Sequence, residues 1–99
     1  MKTVIARNFK SLKVQLEKKN LINKKIGLVP TMGSLHEGHL ALIKKSKKFN
    51  YFTLVTIFIN PIQFNNKADL NKYPVQERED IRLLKKNNVD LIYIPKLED

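Results

Sequence analysis

Ninety-nine residues, 42% of them hydrophobic, suffice for one small domain with a single modest core, so a second domain is excluded. With no cysteine, a disulfide framework, a thiolate metal site and catalysis by a reactive thiol are excluded as well. The formal charge of +10 invites a nucleic-acid reading, yet the 19 basic residues are 16 Lys and 3 Arg, spread from Lys2 to Lys96. Base reading and stacking fall to Arg and aromatic side chains, and the ten Asn and ten Ile that accompany the lysines suggest A/T-rich codons. The lysines therefore read as solvated charge, with no nucleic-acid partner expected. No apolar run approaches the roughly 20 residues of a membrane helix and the N-terminus lacks a secretory hydrophobic region, so the expectation is a cytoplasmic protein with no membrane partner.

In chain order, residues 3–6 are a short extended piece, and Asn8 or Ser11 can cap the helix that follows. Phe9, Leu12 and Leu16 fall at i, i+3 and i+7, an amphipathic helix to about Asn20, where an Asn in the left-handed conformation can end it. Ile26 to Val29 is apolar and reads as a short buried strand, broken by Pro30 and Gly33. Leu40, Ile43 and Ser46 then recur at helical spacing to about Phe49, with Lys44, Lys45, Lys47 and Lys48 complementing the helix C-terminal dipole. Tyr51 to Ile59 is a β-branched and aromatic run, the pattern of a strand covered on both faces. Asn60-Pro61 ends it, and residues 65–71 read as a polar surface loop. Pro74 suits the first position of a further helix, with Val75, Ile81 and Leu84 on its apolar face and Asn87-Asn88 at its end. Val89 to Ile94 is the last strand. The alternation predicts an α/β fold, Rossmann-like and three-layered, with a mostly parallel sheet. The G-x-G-x-x-G fingerprint is absent, so dinucleotide binding has no local support.

The chemistry concentrates in Leu28-Val29-Pro30-Thr31-Met32-Gly33-Ser34-Leu35-His36-Glu37-Gly38-His39, which holds both histidines. A helix opening at His36 to His39 aims unpaired backbone N–H groups and a positive dipole end at whatever lies above the strand, which favours a phosphate. Gly38 permits close approach of a flat ring or a phosphate. Histidines at i and i+3 share one face of the first turn, so both imidazoles can meet one ligand. The plain alternative is that they cap the helix or fill a polar niche. A metal site is not expected, since it needs a third ligand, Glu37 points elsewhere on the turn, and the chain has no further His.

H-x-G-H after a strand resembles the signature of the HxGH nucleotidyltransferase superfamily. V-P-T-M-G-S-L-H-E-G-H in full resembles the pantothenate synthetase (pantoate–β-alanine ligase) family. A second block, Ile57-Phe58-Ile59-Asn60-Pro61-Ile62-Gln63-Phe64 followed by Asp69-Leu70-Asn71-Lys72-Tyr73-Pro74, is similar to that family's I-F-V-N-P-x-Q-F and D-x-x-x-Y-P segments. The likeness runs from about Ile26 to Pro95, and Ser34 stands at a position that is often Asn or Ala.

The resemblance implies ATP-dependent joining of pantoate to β-alanine through a pantoyl-adenylate, giving pantothenate, AMP and pyrophosphate. It implies that His36 and His39 are the catalytic residues, with His39 the candidate proton donor. Met32, Gly33, Ser34, Leu35, His36, Glu37, Gly38 and His39 would wrap ATP. Gln63, Met32 and Asn60 would bind pantoate and β-alanine. Mg²⁺ is expected to arrive with ATP, held by phosphates and water, and the full-length form is expected to be a homodimer. Family members are more than twice as long. Their second half supplies a Lys- and Gln-bearing segment, a Ser/Arg loop over the phosphates and a C-terminal lid. Residues 1–99 are thus expected to be the N-terminal part of the nucleotide-binding domain of a longer enzyme, or a truncated remnant, with half of the site.

Overall fold

Seven elements follow one another in the computed structural model, which describes residues 3–59 and 67–96, with the backbone alone described for residues 67–74. They are β1 (Val4–Ala6), α1 (Phe9–Lys18), β2 (Ile26–Thr31), α2 (Glu37–Lys48), β3 (Phe52–Ile57), α3 (Lys67–Lys86) and β4 (Leu91–Tyr93). The four strands form one parallel sheet in the order β1-β4-β3-β2. Chain order moves from β2 to β3 to β4 in one direction across the sheet, whereas β1 to β2 runs the opposite way. A constant right-handed crossover then requires α1 on the face opposite to α2 and α3. The packing agrees. Ile43 of α2 and Leu84 of α3 meet Val29, Val55, Ile57 and Ile92 in one cluster, while Leu12 and Leu16 of α1 cover Ala6, Phe52, Leu54 and Leu91 in another. This is the three-layered α/β architecture that the alternation predicts.

The local signals act as expected in α1, α2 and β3. Asn8 caps α1 by accepting the Ser11 N–H at 2.8 Å, and Asn20 takes φ +48° just past the helix end. Ile43 and Ser46 are buried and Leu40 packs against the same core. Phe52 to Val55 and Ile57 are buried, so β3 is covered on both faces.

Four expectations are corrected. First, β2 is an edge strand, paired with β3 alone, so it alternates instead of being buried throughout: Val29 and Thr31 are inside, while Ile26 and Leu28 are 44% and 57% exposed. Second, the last helix begins at Lys67 and not at Pro74, so residues 67–71 are helical where a loop is expected. Lys, Ala and Leu favour helix strongly enough to extend it past a proline, which leaves the Leu70 carbonyl without its i+4 donor. Third, Val75 lies outside the apolar face, 52% exposed, whereas Ile81 and Leu84 pack as expected. Fourth, Phe9 is 63% exposed and lies outside the apolar face of α1, whereas Leu12 and Leu16 pack as expected.

Candidate active site

The parallel register sets Thr31 opposite Ile57, so β2 and β3 end at the same level and the turn after β2 lies over both strand ends. Thr31 anchors this end twice. Its Oγ1 donates to the Thr56 carbonyl at 2.9 Å and accepts the Gly33 N–H at 3.2 Å. The chain then reverses through two left-handed residues, Gly33 at φ +86° and Ser34 at φ +53°. Glycine is favoured there by conformation, and a Cβ would also stand 2.9 Å from Ile59 Cδ1, which would have to shift. Two more N–H groups are held by an acid far along the chain. Asp80 of α3, 3% exposed, accepts the Ser34 N–H on Oδ2 at 2.9 Å and the Leu35 N–H on Oδ1 at 3.0 Å, and Gln76 Nε2 donates to Oδ1 at 3.2 Å.

The histidines complete the turn by capping α2 reciprocally. His36 Nδ1 accepts the Gly38 N–H at 3.0 Å, and His39 Nδ1 accepts the His36 N–H at 3.2 Å. The N–H groups of Gly33, Ser34 and Leu35 are therefore taken inside the protein, and at the helix start those of His36 and Gly38 are taken as well, where open donors are expected. The rings add donor capacity of their own. A backbone N–H can be accepted only by an unprotonated Nδ1, so the ring proton of each imidazole sits on Nε2. The rings lie 4.0 Å apart between centroids at 34°. Burial pushes the His39 pKa below the ordinary 6.5, the neighbouring His36 lowers it further, and the Asp80 carboxylate acts in the raising direction. The plain reading of the pair is the one the geometry shows: the rings cap the helix, and by doing so each keeps an Nε2–H.

At Gly38 a Cβ would lie 2.8 Å from His36 Cε1 and 3.1 Å from Nδ1, so the close approach its sequence position implies is made by the His36 ring itself.

Beside the turn is an open groove of about 310 Å³, lined by Pro30, Thr31, Met32, His39, Thr56 and Phe58 at the carboxyl ends of β2 and β3. Open parallel sheets place ligands there. Met32 is 64% exposed and lines it together with His39. Leu35 packs against the core, and Ser34, His36, Glu37 and Gly38 lie on the outer side of the turn. Asn60 and Gln63 lie outside the described residues. Asp80 is the site residue that sequence reasoning missed. Its signal was an acid four positions before the core residue Leu84, on the stripe that faces inward. Among the described residues no three His, Cys, Asp or Glu side chains gather as a metal cage.

The fold and the turn define a parallel α/β protein of Rossmann-like architecture, with a pair of histidines capping the helix that follows its edge strand. The family described as Pantoate-beta-alanine ligase matches residues 4–99. A pantothenate synthetase of Thermoanaerobacter sp. (strain X514) is 48% identical over 84 residues, which are 85% of this chain and 30% of that protein. The crystal structure of a pantoate-beta-alanine ligase from Francisella tularensis, complexed with beta-gamma ATP and beta-alanine, superposes with a TM-score of 0.79 at 43% identity, over 98% of this chain and 37% of that one. That of a pantothenate synthetase from Thermus thermophilus gives a TM-score of 0.64 at 37% identity, over 99% of this chain and 33% of that one. The chain belongs to the pantoate–β-alanine ligase family. It spans about a third of the length of the relatives it matches.

Proposed function

We propose that this chain forms the ATP-handling wall of an enzyme that joins pantoate to β-alanine through a pantoyl-adenylate, releasing pyrophosphate and then AMP. The observation that carries the reading is the histidine pair: two imidazoles, both with Nδ1 committed to the backbone, so that both keep Nε2–H as donor, with His39 lining the groove. In adenylation the pantoate carboxylate attacks the α-phosphate and pyrophosphate leaves. Charge gathers on the phosphoryl oxygens, and fixed donors held in advance of the reaction stabilise it without reorganising. His36 and His39 are proposed to supply those donors, His39 from inside the groove. A neutral ring can donate Nε2–H to an anion without first losing its cap, and burial shifts the His39 pKa downward, toward that form.

Met32 to His39 would then wrap the nucleotide through side chains and ring donors, with the backbone of Gly33 to Leu35 serving as the rigid support. Gln63, Asn60 and Met32 are proposed to meet pantoate and β-alanine. The chain offers Mg²⁺ no cage among the described residues, and the ion would enter with the nucleotide, held by phosphates and water. In a full-length family member, a homodimer of the cytoplasm on this reading, the rest of the chain is proposed to pack against the uncovered edge of β2. Support comes from the exposed apolar side chains on either side of that edge, Ile26 and Leu28 on one face and Leu42 and Phe49 on the other.

Titration of the isotopically labelled chain with ATP tests the site directly. Amide and imidazole resonances of Met32 to His39 should move, and the apparent affinity should change little between two salt concentrations. A short DNA duplex that binds more tightly and loses affinity steeply with salt would instead favour a polyanion-binding module.

A further inference from the structure

We propose that Asp80 is a positioning residue for the histidine turn, its carboxylate fixing from below the backbone out of which His36 and His39 project. Several features separate it from an ordinary buried acid. Each of its two oxygens accepts a different N–H, and the two N–H groups belong to consecutive residues, Ser34 and Leu35. These follow Gly33, and both Gly33 and Ser34 have positive φ, so the segment held is the one whose backbone departs most from ordinary conformations. Leu35 leads directly into His36, the first member of the reciprocal cap. Gln76, one helical turn earlier on α3, donates to the same carboxylate and fixes its orientation. The line of contact therefore runs from α3 through Asp80 to the turn, and from there to both rings.

Carboxylate chemistry is required at this position. An amide has a single acceptor oxygen, and its NH₂ would be turned toward one of the two backbone N–H donors, so Asn cannot hold both. The Asp80 charge also acts on His39, in the direction opposite to burial. Asp90 supplies the contrast. It too is buried, accepts the Thr53 N–H at 2.8 Å and lies 3.8 Å from Lys47 Nζ, but it serves the amino end of β3, away from the histidines. An acid that merely holds the fold together should behave as Asp90 does.

The inference deepens the proposed nucleotide role, and the experiment separates the two. In the labelled 99-residue chain, the amide protons of Ser34 and Leu35 should shift on acidification with the same midpoint as the Asp80 carboxyl carbon. In Asp80→Asn, hydrogen exchange at these two amides should quicken by about tenfold or more, as expected on losing charge-assisted bonds. Imidazole nitrogen shifts should show His36 and His39 leaving the pure Nε2–H form. Asp90→Asn should leave the amides of the turn and the tautomers of both rings as they are, whatever it costs in stability. ATP-induced shifts in the turn should weaken markedly in Asp80→Asn. If the parent chain shows no ATP response the nucleotide reading fails, while the amides and tautomers still decide the role of Asp80. Amides that titrate apart from Asp80, retained protection in a folded Asp80→Asn, or an equal disturbance from Asp90→Asn would each overturn the proposal. Should Asp80→Asn not fold, the titration in the parent chain decides.

Discussion

Gly38→Ala sets stability and site geometry against each other. Alanine in place of glycine in a helix gains up to about 1 kcal/mol from backbone entropy alone, and position 38 is exposed, so no core is disturbed. The new Cβ, however, would stand 2.8 Å from His36 Cε1 and 3.1 Å from Nδ1. Both atoms belong to a side chain that can rotate away, so the ring should yield before the backbone does. Its departure removes an N-cap, which costs about 0.5–2 kcal/mol. The two terms nearly cancel, and the net change in unfolding free energy should stay within about 1 kcal/mol. Urea denaturation measures that sum. Nitrogen shifts of the His36 ring measure what the sum conceals, namely loss of the Nδ1 acceptor role, and titration with ATP measures its consequence. A variant of near-native stability with a displaced His36 and weakened ATP response is expected. An undisturbed His36 tautomer together with native ATP binding would refute the argument that Gly38 exists to make room for the ring.

Gly33→Ala should act differently, because strain at φ +86° lies in the backbone and is not relieved by rotating a neighbouring side chain; a loss of about 1–3 kcal/mol in urea unfolding is expected, and a loss below about 0.5 kcal/mol would contradict it. Acidification should destabilise the fold through His39. Its folded pKa lies below 6.5, so the unfolded chain binds more protons in the window between the two values; the stabilising contribution is complete above about pH 6.5 and is lost as pH falls through the folded value. The pH slope of the urea midpoint between about pH 7 and pH 5 should therefore be shallower in His39→Gln, and an unchanged slope would refute the assignment.

What the sequence made legible is what local physics decides. The buried run of β3, the stripe of Leu40, Ile43 and Ser46, the Asn8 cap and the left-handed Asn20 each depend on neighbours within a few residues. The turn of residues 32–36 could be located from Gly33 and the histidines for the same reason, although β2 runs on through Pro30, where a break is expected, to Thr31. Less legible was everything set by partners far along the chain. Exposure of Ile26 and Leu28 depends on β2 being an edge, which its composition cannot reveal. The role of Asp80 depends on α3 docking so that an acid reaches residues 34 and 35. That the N–H groups of His36 and Gly38 are occupied was not legible, because two imidazoles act as acceptors at once, a cap seldom built from histidine. The early start of α3 reflects helix propensity prevailing over Pro74, a balance that pattern reading settled the other way.

The central claim is that the turn of residues 32–39 forms the ATP-handling part of a ligase. It is tested most directly by grafting residues 1–99 in place of the matching 37% of the Francisella tularensis pantoate-beta-alanine ligase and assaying pantothenate formation from ATP, pantoate and β-alanine. The chimaera should turn over, whereas residues 1–99 alone should not reach an ordinary enzymatic rate of about 1 s⁻¹. His39→Ala in the chimaera should lower turnover by roughly a hundred- to a thousandfold, the loss expected on removing one preorganised donor. A folded His39→Ala chimaera that forms pantothenate within about threefold of its parent would contradict the account.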